Sequence, residues 1–243
     1  MTPTPTVYIG WDPTEEIASR AAAASLYSTS AMVRPIPLVL AGLRRRGLYT
    51  RPTTMREGHL YDVISQAPMS TEHAISRFLV PHLQRYVGWA LFVDGDVLFR
   101  RDVRELFALA DDRYAVMVVQ HPPFVGDGVK KEGALQQAYP RKNWSSVVLW
   151  NCGHAYNAAL LPAMVNQLPG RELHYFGWLP DEAIGTLPPE WNYLVGVTPP
   201  MADPAIVHYT LGTPAVPAYA QAPFADEWYA AVRRGGPSQG HER

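Results

Sequence analysis

The 243-residue chain has a single cysteine, Cys152, which excludes an internal disulfide framework and fits a reducing compartment. It is almost without net charge, with 21 basic residues against 22 acidic ones. That balance excludes bulk attraction to nucleic acid or to an acidic membrane, although a local patch stays open. No apolar run approaches the roughly 18–20 residues needed to cross a bilayer. The opening Met1-Thr-Pro-Thr-Pro-Thr6 has neither a basic stretch nor an apolar core, so no secretion signal is expected there and the cytoplasm is the expected location. G-x-G-x-x-G, a P-loop lysine and internal repeats are also lacking. What is present is a 47% apolar composition, enough for a substantial core. One α/β domain over 1–232 with a frayed tail at 233–243 is expected.

The most informative stretch is Trp89-Ala-Leu-Phe-Val-Asp-Gly-Asp-Val-Leu-Phe-Arg-Arg101. Ala90 to Val93 has the continuous apolar pattern of a strand buried on both faces. It ends in Asp94-Gly95-Asp96, two carboxylates that are costly to keep ionised at a strand mouth without a counter-charge. Gly95 lets the backbone bend and leaves room for a ligand. Strand mouths of open α/β sheets are where ligands bind, and a divalent cation is the natural partner. Asp-Gly is equally an ordinary turn, and acidic pairs also cap helices.

Along the chain, Val7–Trp11 is expected as a first strand. Asp12-Pro13-Thr14-Glu15 then starts a helix to about Tyr27, with Ile17, Ala21 and Ala24 on one face. A nucleotide bound there would meet Ile9, Gly10 and Asp12; Asp12 as a cap alone is an equal reading. Val33 to Leu40, with Pro35 and Pro37, suits an edge strand. Residues 42–70 are polar and aperiodic, a long surface excursion. A helix over 72–86 buries Ile75, Phe78, Leu79 and Leu83, kinks at Pro81 and carries Arg77 near the acidic mouth. Asp102 caps a short helix. Residues 121–143 have the length of a lid. Ser146 to Trp150 is a strand ending in Asn151-Cys152-Gly153, where the amide suits a hydroxylated ligand or a turn. Asp181-Glu182 precedes a short helix. Ile206 to Tyr209 is a late strand carrying His208, followed by Gly212.

The order of these features resembles the GT-A glycosyltransferases, and most of all the retaining enzymes of glycosyltransferase family 8, over about 6–215. The resemblance implies an α/β, mainly parallel sheet. It implies that Asp94 and Asp96 are the family's Asp-x-Asp and His208 the third ligand of Mn²⁺ or Mg²⁺. It further implies that Arg77 contacts the donor sugar, and that Asn151 and Asp181 hold its hydroxyls. The donor would be a nucleotide-diphosphate sugar, with a UDP-sugar expected. Glu182 stands where the family usually carries glutamine. It would be a covalent nucleophile or, the preferred reading, an electrostatic stabiliser of the anomeric centre. The family's late lysine for the diphosphate has no match after His208; Lys130, Lys131 or Lys142 would have to replace it. The acceptor is open: a glycan, a lipid-linked saccharide, a protein or a modified nucleobase.

Three other classes compete with this reading. A haloacid-dehalogenase-type phosphatase also ends a strand in Asp-x-Asp, but near its N-terminus and with Thr or Val where Leu98 stands. A sugar-phosphate nucleotidyltransferase needs a glycine-rich basic loop that Gly10-Trp-Asp-Pro does not supply. An inactive nucleotide-sugar-binding relative is the third class.

Overall fold

A computed structural model describes residues 4–56, 58–122, 141 and 143–236. The chain opens on β1 (Thr6–Gly10), a 3-10 turn at Pro13–Glu15 and α1 (Glu16–Thr29). Asp12 caps this start, its Oδ1 accepting the Thr14 amide at 2.8 Å. In α1, Ala21 packs with Trp228 and Ala231 of the C-terminal helix, while Ala22 and Leu26 pack under the sheet. Ile17, expected on the buried face, is exposed instead. The helix is gripped from two sides, and small alanines fit that crowded contact better than a branched side chain. β2 (Pro35–Leu38) pairs parallel with β1 at the sheet edge, where its prolines are tolerated.

The 42–70 excursion is more ordered than its composition predicts. α2 (Leu40–Arg45) leads into a small antiparallel sheet of β3 (Thr53–Arg56), β4 (His59–Asp62) and β5 (Ala67–Pro68). Buried Arg51 ties it down. Its Nε donates to Asp62 Oδ1 at 3.0 Å, its Nη1 to the Val165 and Leu168 carbonyls at 2.8 and 2.6 Å, and its Nη2 pairs with Asp62 Oδ2. The expected helix over 72–86 is broken into α3 (His73–Ser76), a 3-10 turn at Arg77–Leu79 and α4 (Val80–Leu83). The break at Arg77 lies four residues before Pro81, whose ring crowds that carbonyl and which has no amide to donate. Left-handed Arg85 and Tyr86 end the segment.

There follow β6 (Trp89–Val93), β7 (Val97–Phe99), α5 (Val103–Phe107), β8 (Val116–Val118), β9 (Val147–Asn151), α6 (Ala155–Ala158), α7 (Pro162–Gln167), α8 (Gly170–His174), β10 (Ile184–Thr186), β11 (Tyr193–Leu194), β12 (Ile206–His208) and α9 (Ala225–Arg234). Arg233 and Arg234, expected in the tail, complete α9; 237–243 lie outside the described residues. Among the described residues, six strands form the central sheet in the order β10-β8-β9-β6-β1-β2. All its pairings are parallel except those of β9. One face is covered by Phe78, Leu79, Phe176 and Trp178, the other by α1 and α5. A second sheet, β11-β12-β7, lies against α1 and α9. Among the described residues no helix is long and apolar enough to cross a membrane.

Candidate metal centre

Asp94-Gly95-Asp96 is the short link between the two sheets, joining the end of β6 to the start of β7. On the central-sheet side, β9 enters opposite Val93, and the Asp94 amide donates to the Ser146 carbonyl at 2.9 Å. On the other side β12 runs antiparallel to β7 with His208 opposite Val97, and the Tyr209 amide donates to the Asp96 carbonyl at 3.0 Å. Strand register alone therefore brings His208 beside the acidic pair, however far apart they lie in sequence. His208 Nε2 stands 3.2 Å from Asp96 Oδ1 and 4.0 Å from Asp94 Oδ2. One ligand atom from each of the three residues lies within 4.8 Å of the others. On an ion with bonds of about 2.1 Å, ligands at right angles stand about 3.0 Å apart and opposite ligands about 4.2 Å. The two separations from His208 Nε2 fit that range, and two carboxylates with one imidazole suit Mn²⁺ or Mg²⁺ better than a thiolate metal.

Asp94 is braced from behind. Arg77 Nη2 and His73 Nε2 lie 2.8 and 3.3 Å from its Oδ1. Arg77 Nη1 donates to the Ser145 carbonyl at 2.8 Å, and the guanidinium lies 4.9 Å over the Phe92 ring. Burial pushes the Asp94 carboxyl up, but the Arg77 charge, then His73 and His208, outweigh it and hold it well below the usual carboxylate range. Burial likewise disfavours a charged His208, yet Asp96 and then Asp94 lift its pKa above that of an ordinary histidine. His121 goes the other way: burial first and the charge of His208 second push it down to about 4.

Gly10 and Gly95 are explained by protein contacts rather than by space for a ligand. A Cβ on Gly95 would lie 2.5 Å from the Gly10 carbonyl oxygen, and one on Gly10 would lie 2.6 Å from His73 Nε2. These two glycines let β1, the acidic turn and α3 close on one another. Ile9 is a core residue. Both oxygens of Asp12 are engaged, Oδ1 by Thr14 and Oδ2 by the Glu72 amide at 2.7 Å, so Asp12 also ties the first turn to the segment that carries His73. Gly212, at φ +143°, closes the turn after β12 through its amide to Tyr209 O at 2.7 Å.

Asn151 requires a correction. β9 is antiparallel, with Val147 opposite Val93 and Asn151 opposite Trp89, so Asn151 lies at the far end of β6 from Asp94. There its Nδ2 donates to the Tyr114 carbonyl at 3.2 Å. Asp181 and Glu182 lie in a 3-10 turn directly before β10, whose Ile184 is level with Val116. Both are exposed, and the Asp181 carboxylate pairs with Arg141. Among the described residues no hydrogen bond or ion pair ties either one to the acidic cluster. Lys130, Lys131, Lys142 and most of the proposed 121–143 lid lie outside the described residues.

The residues that sequence reasoning missed are His73, Ser145, Ser146 and Asn192. His73 precedes Arg77 by one helical turn, a spacing that places both on one face. The two serines lie where β9 begins, and Asn192 ends a 3-10 turn before β11. His208 Nδ1 is 3.0 Å from Asn192 Oδ1.

No family model matches the chain. Protein CDI of Arabidopsis thaliana is 43% identical over 228 residues, covering 91% of this chain and 83% of CDI. Among solved structures, 97% of this chain aligns with 98% of the galactosyltransferase LgtC, solved in complex with donor and acceptor sugar analogues, at a TM-score of 0.57 and 13% identity. The glycosyltransferase GlyE of Streptococcus pneumoniae TIGR4 aligns over 95% of this chain and 60% of its own, at a TM-score of 0.59 and 14% identity. The bifunctional glycosyltransferase WbbM aligns over 95% of this chain and 52% of its own, at 0.57 and 15%. The chain thus spans just over half the length of WbbM and about three fifths of GlyE. Such identities carry the fold, a mixed α/β GT-A architecture with a mainly parallel central sheet. The far higher identity to the plant protein carries more: this chain belongs to the family of Protein CDI.

Proposed function

We propose that this protein is a metal-dependent glycosyltransferase of the family 8 type. It moves a hexose from a nucleotide-diphosphate sugar, a UDP-sugar, to an acceptor hydroxyl with retention of configuration. The observation that carries this reading is the convergence of Asp94, Asp96 and His208 at the junction of two sheets. Those three residues would hold Mn²⁺ or Mg²⁺. When bound, such an ion offsets the negative charge that builds on a departing diphosphate. Arg77 and His73 keep Asp94 ionised and aimed, and the contact of Arg77 with the donor sugar that the resemblance implies is part of the proposal. Asp181 and Glu182 start outside the cluster. Electrostatic stabilisation by Glu182 makes a weaker demand on its distance from the anomeric carbon than covalent attack does, and is the role proposed. Catalysis then rests mainly on positioning. The single cysteine is buried and free, in keeping with a cytoplasmic enzyme.

The test is a screen of nucleotide sugars by thermal shift with and without Mn²⁺, since a ligand of the native state raises its melting temperature by mass action. A shift that needs both a UDP-sugar and Mn²⁺ supports the proposal. No shift with any nucleotide sugar sinks it. A binding-only relative is the second reading, favoured by the separation of Asp181 and Glu182 from the cluster. It predicts the same thermal shift with no Mn²⁺-dependent hydrolysis of the nucleotide sugar. Glycan, lipid-linked, protein and nucleobase acceptors are told apart by transfer of radiolabelled sugar from the donor that the screen identifies.

A further inference from the structure

Behind His208 runs a chain of hydrogen bonds whose donors and acceptors have one consistent solution. It begins at the Asn143 backbone carbonyl, which can only accept. Ser146 Oγ lies 2.7 Å from it and spends its one proton there. Asn192 lies 3.0 Å from the same Oγ and must therefore present its Nδ2, as donor, to the serine lone pair. That turns the Asn192 amide oxygen towards His208, where it meets Nδ1 at 3.0 Å. An amide oxygen can only accept, so Nδ1 must carry the ring proton. In the neutral ring Nε2 is then left with a bare lone pair, and Nε2 is the nitrogen that faces Asp96 and Asp94. Asn192 and His208 are both buried, which keeps bulk water from competing for Nδ1.

We propose that Asn192 and Ser146 are positioning residues that fix His208 as its Nδ1–H tautomer and so dedicate Nε2 to a divalent cation. This rests on the metal-centre reading above and deepens it, because it names what prepares the third ligand. The elements involved are separate in the chain. The 3-10 turn at Trp144–Ser146, just before β9, supplies the anchor, the 3-10 turn at Pro189–Asn192 supplies the amide, and β12 supplies the imidazole. The acidic turn and the polar relay therefore approach the same imidazole from opposite sides.

Two variants and a rescue test it. Asn192→Leu removes the acceptor, and Ser146→Ala frees the amide to flip and offer its NH₂ to the imidazole. Each is expected to weaken Mn²⁺ binding, measured calorimetrically with UDP present, by about 10–100-fold. Asn192→Asp keeps an acceptor facing Nδ1 and is expected to stay within a few-fold of wild type. Thermal unfolding verifies that each variant is folded. Nitrogen-15 NMR of histidine-labelled, metal-free protein in alkaline buffer reads the tautomer directly. Wild type should show protonated Nδ1 and bare Nε2, with that signature lost in Asn192→Leu and kept in Asn192→Asp. A wild-type His208 protonated on Nε2, or folded Leu and Ala variants that bind Mn²⁺ as wild type does, overturns the proposal. Wild type that shows the Nδ1–H signature but binds no Mn²⁺ supports the relay and counts instead against the proposed function.

Discussion

Two buried charge clusters in this molecule differ in how completely their groups are satisfied. In the Arg51–Asp62 clamp, Nε, Nη1 and Nη2 of the arginine all have partners, and Ser65 adds its amide at 2.8 Å to Asp62 Oδ2. At the acidic turn, Arg77 Nε, His73 Nδ1 and Asp94 Oδ1 are buried without an aligned hydrogen-bond partner among the described residues. A fully used arginine fork offsets its own desolvation and has nothing left to offer a ligand. At the turn the two carboxylates and the His208 imidazole instead converge at distances a cation can span, the pattern of a candidate binding site. The clamp holds the fold, and the turn is the candidate metal site.

The sharpest break in that comparison is Asp96→Ala. Turnover should fall by about 10²-fold or more and lose its dependence on Mn²⁺, while urea unfolding changes little. Steady-state assays across a Mn²⁺ series make this measurement, and retained metal-dependent activity would count against Asp96 as a ligand. Asp62→Ala should do the opposite. It strands a buried guanidinium and should cost about 3–5 kcal/mol of stability by urea denaturation, with turnover per folded molecule preserved.

The clamp also sets a pH signature. Burial pushes the Asp62 carboxyl up, but hydrogen bonds from Arg51 and Ser65 outweigh that and leave it below its ordinary value. Because the folded-state value is depressed, the contribution is complete above the unfolded carboxyl's pKa of about 4 and is lost as pH falls through the folded value. Wild type should therefore lose stability on the acid side more steeply than Asp62→Ala. Parallel acid limbs in urea titrations would show that the pair contributes nothing.

Gly10→Ala is intermediate. The added methyl meets the His73 ring, so a loss of about 1–3 kcal/mol is expected together with weaker metal binding, as His73 is driven from Asp94. Stability loss without any change in Mn²⁺ affinity would show that His73 does not brace the carboxylate. The smallest effect is expected from Asn151→Ala. Turnover should stay within about twofold, with a stability loss of about 1 kcal/mol for one hydrogen bond. A large loss of turnover would bring Asn151 back to the site.

The acidic turn was legible because its signal is local: an apolar run that stops at two carboxylates. His208 stood out as a polar residue on an otherwise apolar late strand, but only the resemblance to family 8 gave it a metal role. Asn151 was misplaced because Val147–Trp150 is apolar throughout, and such a strand looks the same in either direction; only the antiparallel pairing with β6 reveals which end is the mouth. The clamp was missed because Arg51 sits in a polar stretch where nothing local marks it as buried. Its partners at Val165 and Leu168 are more than a hundred residues away. Asn192 carried no signal at all, since its role exists only through Ser146 and His208.

The central claim is that Asp94, Asp96 and His208 jointly hold one divalent cation beside a diphosphate. The most direct measurement is a Mn²⁺ titration in the presence of UDP, followed by the electron paramagnetic resonance signal of the free ion. The account predicts one saturable Mn²⁺ per wild-type chain and its loss in each of Asp94→Ala, Asp96→Ala and His208→Ala. A wild-type chain that leaves all Mn²⁺ free, or alanine variants that capture it as well as wild type does, would contradict it.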